Sequence, residues 1–242
     1  MAKASPYKDN GRWAAGTLLA RLGDDARKHL LELVPPRSYK PGRVLLHQGE
    51  IGNHVYILTS ARPGTPACVK VSARLANGTE SLLGIRVSGD AVGELAVLRG
   101  SARSATVTTC SPTDAYVIPR KEFLDFLGRY PEAWPAIGGM IADRLDWANQ
   151  RRLDFVGYPV PVRLARVLAA LAERHGAKVE GGYDLGVRLS QEELGRLIGA
   201  GKDAVGKAIV KLKDAGLITV QYRGIVVTTL ADLRLYADLP EP

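Results

Sequence analysis

The stretch Val92-Gly93-Glu94-Leu95-Ala96-Val97-Leu98-Arg99-Gly100-Ser101-Ala102-Arg103-Ser104-Ala105-Thr106-Val107 decides how the rest of the chain is read. It reads as the start of a short helix, then a loop and a strand. Gly93 lets the backbone approach another group closely. Glu94 places a carboxylate at the helix start, Arg103 returns a guanidinium nine positions later, and Ser104 adds a hydroxyl. A helix N-terminus with one Arg suits a bound phosphate. A carboxylate beside that phosphate calls for a neutral donor, such as a sugar hydroxyl. Together these groups suit a small nucleotide.

Outward from this stretch, short β-rich runs at 43–47, 54–58, 67–71, 81–87, 105–109 and 114–118 alternate with turn signals. These are Pro41-Gly42, Gly49-Glu50, Gly52-Asn53, Asn77-Gly78 and Ser88-Gly89. Short strands at this spacing predict a β-sandwich or jelly roll, and Asn77-Gly78 a hairpin turn. Before them, Leu18, Leu19, Leu22, Leu30, Leu31 and Val34 predict one or two short helices, ended by Pro35-Pro36. Residues 1–16 are expected to be a flexible tail.

After Pro119 the texture turns helical. A short helix is predicted over 121–128 and a long one from Pro131 to about Phe155, with one apolar stripe of Trp134, Ile137, Ile141, Leu145, Ala148 and Phe155. Such a stripe packs on its own barrel or on a second copy of itself; a homodimer is the preferred reading. Gly157-Tyr158-Pro159-Val160-Pro161 reads as a hinge. A second domain follows: an amphipathic helix over 162–174, then a glycine-rich loop over 176–186.

Ser190-Gln191-Glu192-Glu193 is a capping box, with Leu194, Leu197 and Ile198 on the buried face behind it and Gly199 as a left-handed terminator. A second helix over 201–215 turns Val205, Ile209 and Leu212 inward and Lys202, Asp203, Gly206 and Lys207 outward. The two describe a helix-turn-helix. From Arg196 to Lys213 five basic residues face one acidic, net +4; residues 157–242 hold twelve basic and ten acidic, net +2. Positive charge is concentrated where a recognition helix meets phosphates. Strands at 217–220 and 225–228 form a wing, with Arg223 at its tip as a backbone contact or a solvated turn residue.

The bulk numbers fit a binding protein. The 242 residues permit one large domain or two ordinary ones, and 46% hydrophobic content suffices for real cores. The net charge of +8 makes a polyanionic partner plausible. Two cysteines, Cys68 and Cys110, lie 42 positions apart with no Cys-x-x-Cys pair, which argues against a zinc ribbon, an iron–sulfur sensor or a disulfide scaffold and for two buried reduced thiols. The first residues lack a signal-peptide core, and no run is long enough to span a membrane, so a cytoplasmic protein is expected. A metal-dependent barrel enzyme would need clustered ligands, but only His29, His47, His54 and His175 are present, with no close third ligand beside His47 and His54.

With these residues in place, 17–230 resembles bacterial transcription regulators of the cyclic-AMP receptor protein and fumarate–nitrate reductase regulator (Crp/Fnr) superfamily. Residues 93–105 resemble the phosphate-binding cassette of cyclic-nucleotide-binding domains. Gln48-Gly49-Glu50 and Tyr56-Ile57-Leu58 match the same domain, and 190–218 is similar to the family's DNA-binding signature. The resemblance implies an α+β fold: a jelly-roll cyclic-nucleotide-binding barrel over 17–130, a long dimerisation helix over 131–156, and a winged helix-turn-helix over 157–242. It implies that Glu94 accepts from a ribose 2′-hydroxyl and that Arg103 pairs with the cyclic phosphate. Ser104 and the amides of Leu95 and Ala96, beside Gly93, serve the same phosphate. Ser190, Gln191, Gly201, Lys202, Asp203, Gly206, Lys207 and Arg223 would meet DNA. The implied effector is a cyclic nucleotide, cyclic AMP before cyclic GMP, with no metal and no iron–sulfur cluster. The implied partners are an operator duplex, a second copy and RNA polymerase, with no enzymatic activity and no membrane. Three features depart from the family pattern. Ala148 and Asn149 stand where two hydroxyl residues hold the adenine; Asn149 can still bond a purine edge, and Trp147 either stacks on one or packs in the core or the dimer seam. The loop 61–66 is long. Lys202 and Asp203 replace Arg and Glu, so the operator is expected to differ. The same fold acting without a ligand, or with another small effector, stays open.

Overall fold

The computed structural model describes residues 13–61, 67–221 and 224–240, and the chain divides into two compact units, 1–144 and 145–242. Most of the loop 61–66, the wing-tip residue Arg223 and residues 1–12 of the expected tail lie outside the described residues.

The first unit opens with two helices, α1 (Leu18–Arg21) and α2 (Asp24–Glu32), followed by strands β1 (Pro36–Tyr39), β2 (Val44–Leu46), β3 (His54–Ser60), β4 (Cys68–Arg74), β5 (Glu80–Val87) and β6 (Ala91–Val92). Helix α3 (Glu94–Arg99), strands β7 (Thr106–Thr109) and β8 (Thr113–Pro119) and helix α4 (Arg120–Arg129) complete it, and helix α5 (Ala133–Gly157) begins there. Two antiparallel sheets, β1-β8-β3-β6 and β2-β7-β4-β5, make the jelly roll. Strand β3 shows why: its sequence lacks polar alternation because both faces are covered. Tyr56 and Leu58 face Leu45, Val69 and Val107 of the other sheet. Val55 and Ile57 face the helices, packing with Leu18, Leu30, Phe123, Phe126, Ile137 and Met140.

Several expectations are corrected. Trp13 packs on this helix-side core, so the tail ends sooner than residue 16. The apolar stripe of α5 splits between faces. Ile137 is buried in the barrel core, while Trp134, Leu145 and Phe155 are exposed, because the core-facing turns use Ala133, Ala136, Ile137 and Met140 instead. Cys68 is buried but Cys110 only half so.

The second unit holds the end of α5, then helix α6 (Val160–His175), strands β9 (Ala177–Val179) and β10 (Gly182–Asp184), helices α7 (Gln191–Ile198) and α8 (Lys202–Asp214), strands β11 (Ile218–Gln221) and β12 (Gly224–Val227), and helix α9 (Leu230–Tyr236). The glycine-rich segment is a hairpin, not a loop. Gly181 and Gly182 take positive φ at its turn, and β10 joins the wing in a sheet ordered β11-β12-β10-β9.

The boundary between the two compact units falls at Arg144/Leu145, inside α5. The last turns of α5 belong to the second unit through specific contacts. Asp154 Oδ1 lies 2.9 Å from Arg166 Nε in a buried ion pair. Arg151 Nη1 donates to the carbonyl of Leu197 at 3.2 Å. The Phe155 ring packs on Gly199, where a Cβ would meet it at 3.3 Å.

Candidate functional site

Gly93 has φ 85° and ψ 0°, a left-handed conformation that turns β6 directly into α3. The first bond back into α3 runs from the amide of Val97 to the Gly93 carbonyl, so the amides of Leu95 and Ala96 precede the helical ladder. Glu94 is 3% exposed and Arg103 4%. Burial of that kind requires partners. Arg103 Nη1 donates to the Gly93 carbonyl and Nη2 to the His54 carbonyl, both at 2.7 Å. The guanidinium lies so close over Gly52 that a Cβ there would stand 2.1 Å from Nε. Arg103 is therefore held across the cassette by main-chain acceptors, and Gly52 and Gly93 leave the space it fills. Burial pulls its pKa down, while Tyr56, Glu94 and Glu50 push it up.

Glu94 Oε1 accepts from Arg144 Nη1 at 2.8 Å. Arg144 Nη2 also donates to Asp90 Oδ1 at 3.0 Å and to the Ala91 carbonyl at 2.8 Å. Sequence reasoning missed Arg144 by reading the long helix for its apolar stripe and for base contacts at 147–149. The available signal was a pair of carboxylates, Asp90 and Glu94, in a strand–helix segment whose one cation, Arg99, lies in the last turn of α3.

The structure brings Gly93, Glu94, Leu95, Ala96 and Arg103 together around the start of α3 and leaves Ser104 exposed after the loop. Trp147 and Asn149 belong to the second unit. One face of the Trp147 indole is covered by Arg151, whose guanidinium carbon lies 3.9 Å from the ring centroid. Asn149 is exposed.

In the second unit the capping box closes both ways. Glu193 accepts from the Ser190 amide at 2.8 Å, and the Glu193 amide donates to Ser190 Oγ at 3.2 Å. Gly199 ends α7 at φ 62° and ψ 46°. Leu194, Leu197, Ile198, Val205 and Leu212 are buried, as is Ala208, while Ile209 is only half-buried. Gly195 lets the turn between the two helices close tightly: a Cβ there would lie 2.4 Å from the Ala200 carbonyl. Gln191, Gly201, Lys202, Asp203 and Lys207 are exposed, and Gln191 lies over half-buried Gly206. These positions share the open surface of a tightly joined helix pair, as an element entering a groove requires.

Among the described residues no group of three or more His, Cys, Asp or Glu side chains is placed to hold a metal ion, and no helix is long and apolar enough to cross a membrane.

A family model of the cyclic nucleotide-binding domain matches residues 36–130, and one of the Crp-like helix-turn-helix domain matches residues 162–236. The chain is 28% identical over 217 residues to the CRP-like cAMP-activated global transcriptional regulator of Mycobacterium tuberculosis, covering 87% of this chain and 94% of that one. It is 25% identical over 191 residues to the cAMP-activated global transcriptional regulator CRP of Salmonella typhimurium, covering 78% and 88%. Among solved structures, the c-di-GMP responsive global regulator CLP of Xanthomonas campestris shares the fold at a TM-score of 0.69 and 21% identity, over 86% of this chain and all of that one.

Proposed function

The chain belongs to the Crp/Fnr superfamily of transcription regulators, and on that premise we propose that it is a cytoplasmic homodimer whose affinity for an operator is set by a cyclic nucleotide held at the α3 cassette. The carrying observation is the buried arrangement of Glu94 and Arg103 at the start of α3, in the same chain as a capped helix-turn-helix. Arg103 turns to the cyclic phosphate, joined by Ser104 and the amides of Leu95 and Ala96; Glu94 accepts from the ribose 2′-hydroxyl. Cyclic AMP is the first expectation, because the relatives that cover most of this chain are named as cAMP-activated.

Dimerisation is supported by α5. Gly138, Ala142, Leu145, Asn149, Arg152 and Val156 recur at alternating four- and three-residue steps and are all exposed. Lys202, Asp203, Gly206 and Lys207, with Ser190, Gln191 and Gly201 beside them and Arg223 on the wing, meet the duplex. RNA polymerase is a further partner of the DNA-bound form. The effector acts by binding one arrangement of the dimer more tightly than another.

Titration calorimetry with cyclic AMP, cyclic GMP and a cyclic dinucleotide, paired with gel shifts on operator fragments, tests this. Binding of a cyclic mononucleotide that Arg103→Ala removes, with the dimer intact, is the expected result. A second reading, another effector or none, is favoured by Ala148 and Asn149 and by the covered face of Trp147. Equal DNA affinity with and without every nucleotide would establish it.

A further inference from the structure

The two cysteines lie 42 positions apart in sequence, yet the sheet places them opposite each other. Strand β4 pairs antiparallel with β7 in the register Val69↔Thr109 and Lys70↔Thr108. One step along that ladder, Cys68 faces Cys110, and the Cys110 amide donates to the Cys68 carbonyl at 2.7 Å. The reciprocal bond is not made: the Cys68 amide donates instead to Ser111 Oγ at 2.9 Å, so the ladder ends here. Residues directly opposed in an antiparallel pair carry their side chains on one face, with Cα atoms about 5.5 Å apart at a hydrogen-bonded position. That Cα separation lies within the range a disulfide spans, about 4.4–6.8 Å. The Cβ atoms of a hydrogen-bonded pair, toward the upper end of about 4.5–5.5 Å, stand wider than the roughly 3.5–4.5 Å of a relaxed disulfide, so closing the bond draws the two strand ends together and leaves it readily reducible. By the pleat, the cysteines point away from the face on which Val69 joins the barrel core. Both stand as thiols, Cys68 buried and Cys110 half-buried.

We propose that Cys68 and Cys110 are a reversible redox pair that closes a cross-strand disulfide between β4 and the end of β7. The oxidant is a small-molecule disulfide such as oxidised glutathione. The accessible Cys110 loses its proton and attacks one sulfur of the oxidant, breaking its S–S bond and releasing one thiolate. Cys68 then loses its proton and attacks the Cys110 sulfur of the mixed disulfide, releasing the second thiolate. The two protons end on the two released thiolates, the protein sulfurs lose two electrons, and the oxidant gains them. The pair is a switch rather than a staple, because in a reducing compartment a disulfide persists only transiently.

The test is to equilibrate the native full-length protein in glutathione buffers of graded oxidised-to-reduced ratio. The reaction is then quenched with acid, remaining thiols are alkylated, and the chain is cut with trypsin, which cleaves between the two cysteines at Lys70, Arg74, Arg86, Arg99 and Arg103. The expected result is a linked Cys68–Cys110 peptide pair from single chains, an intact mass lower by two hydrogens, and reversal by reduced glutathione. In Cys68→Ala the reaction should stop at a glutathione adduct on Cys110. Three outcomes would overturn the proposal: both cysteines alkylated at every ratio, a wild-type adduct on Cys110 that is never displaced, or a link only between two copies.

Discussion

Arg144 on α5 neutralises Glu94 at the start of α3, Nη1 to Oε1 at 2.8 Å, while its Nη2 holds Asp90 at 3.0 Å. Two carboxylates, 3% and 7% exposed, thus share one cation from the long helix. Burial opposes the charge on Arg144, yet Glu94 and Asp90 outweigh it and raise its pKa. Removing one partner of such a buried cluster leaves an uncompensated charge, at a cost of about 3–5 kcal/mol. Arg144→Gln should therefore lower the first unit's stability by that order in urea unfolding. The exposed pair Lys121–Asp125, 2.6 Å apart, is the control. Lys121→Ala should leave the urea midpoint essentially unmoved, as the loss of an exposed pair does.

Gly52 gives a cleaner test of Arg103 than Arg103 itself. Its φ is ordinary, so a side chain there brings no backbone strain, but a Cβ would sit 2.1 Å from Arg103 Nε. The guanidinium must move. Gly52→Ala should leave the fold intact and weaken binding of the activating cyclic nucleotide at least tenfold by calorimetry, about 1.4 kcal/mol in equilibrium terms. Unchanged affinity would mean that the position of Arg103 does not matter to the ligand.

How much of this is legible in the sequence depends on whether the determinant is local. The turn at Gly93, the capping box at Ser190 and the αL residue Gly199 are set by a few neighbouring residues, and the structure has all three as read. The six runs read between turn signals correspond to β2, β3, β4, β5, β7 and β8, while the two-residue β6 is too short to give a pattern of its own. What escaped was set by distant partners. Pro36–Tyr39 looked like a chain break after two prolines, but it becomes a strand because β8 offers an open edge to pair with. The hairpin over β9 and β10 was hidden by glycines that serve its turn and its close approach to Val227. On α5 the apolar period alone could not separate residues facing the barrel from exposed ones, and Arg144 carried no apolar signal at all.

His54 carries a pH dependence. Its Nε2 is buried with no hydrogen-bond partner among the described residues, and its ring meets Tyr56 edge-on at 5.0 Å. Burial, then the charges of Arg103 and Arg37, lower its pKa below 6.5. The unfolded chain therefore takes up a proton near pH 6.5 that the folded chain refuses. The stability from neutral His54, whole above pH 6.5, is lost as pH falls from there through the folded pKa. His54→Phe removes that titration and keeps the ring against Tyr56. Between pH 7.5 and 5.5 its urea midpoint should decline less than the wild type's; equal slopes would exclude His54 as the source.

Lys202 and Lys207 lie on the exposed side of α8, whose inner side is fixed by Val205, Ala208 and Leu212. Neither shapes the fold, so alanine at either position should leave the melting temperature within a degree or two, consistent with about 0.5 kcal/mol or less for surface substitutions. Their proposed role on DNA separates into two observables. A lysine that contacts only phosphate releases counterions. Its loss should weaken binding to every sequence alike and flatten log K against log salt by about 0.9 per contact removed. A lysine that reads a base edge should instead relax preference at one operator position, by about 1–3 kcal/mol. Lys202 sits in the first turn of α8, the end that reaches deepest into the groove when a recognition helix docks. Lys202→Ala should therefore relax specificity, and Lys207→Ala, one turn later, should flatten the salt dependence. Gel shifts across a salt series on the operator and on single-base variants read both effects.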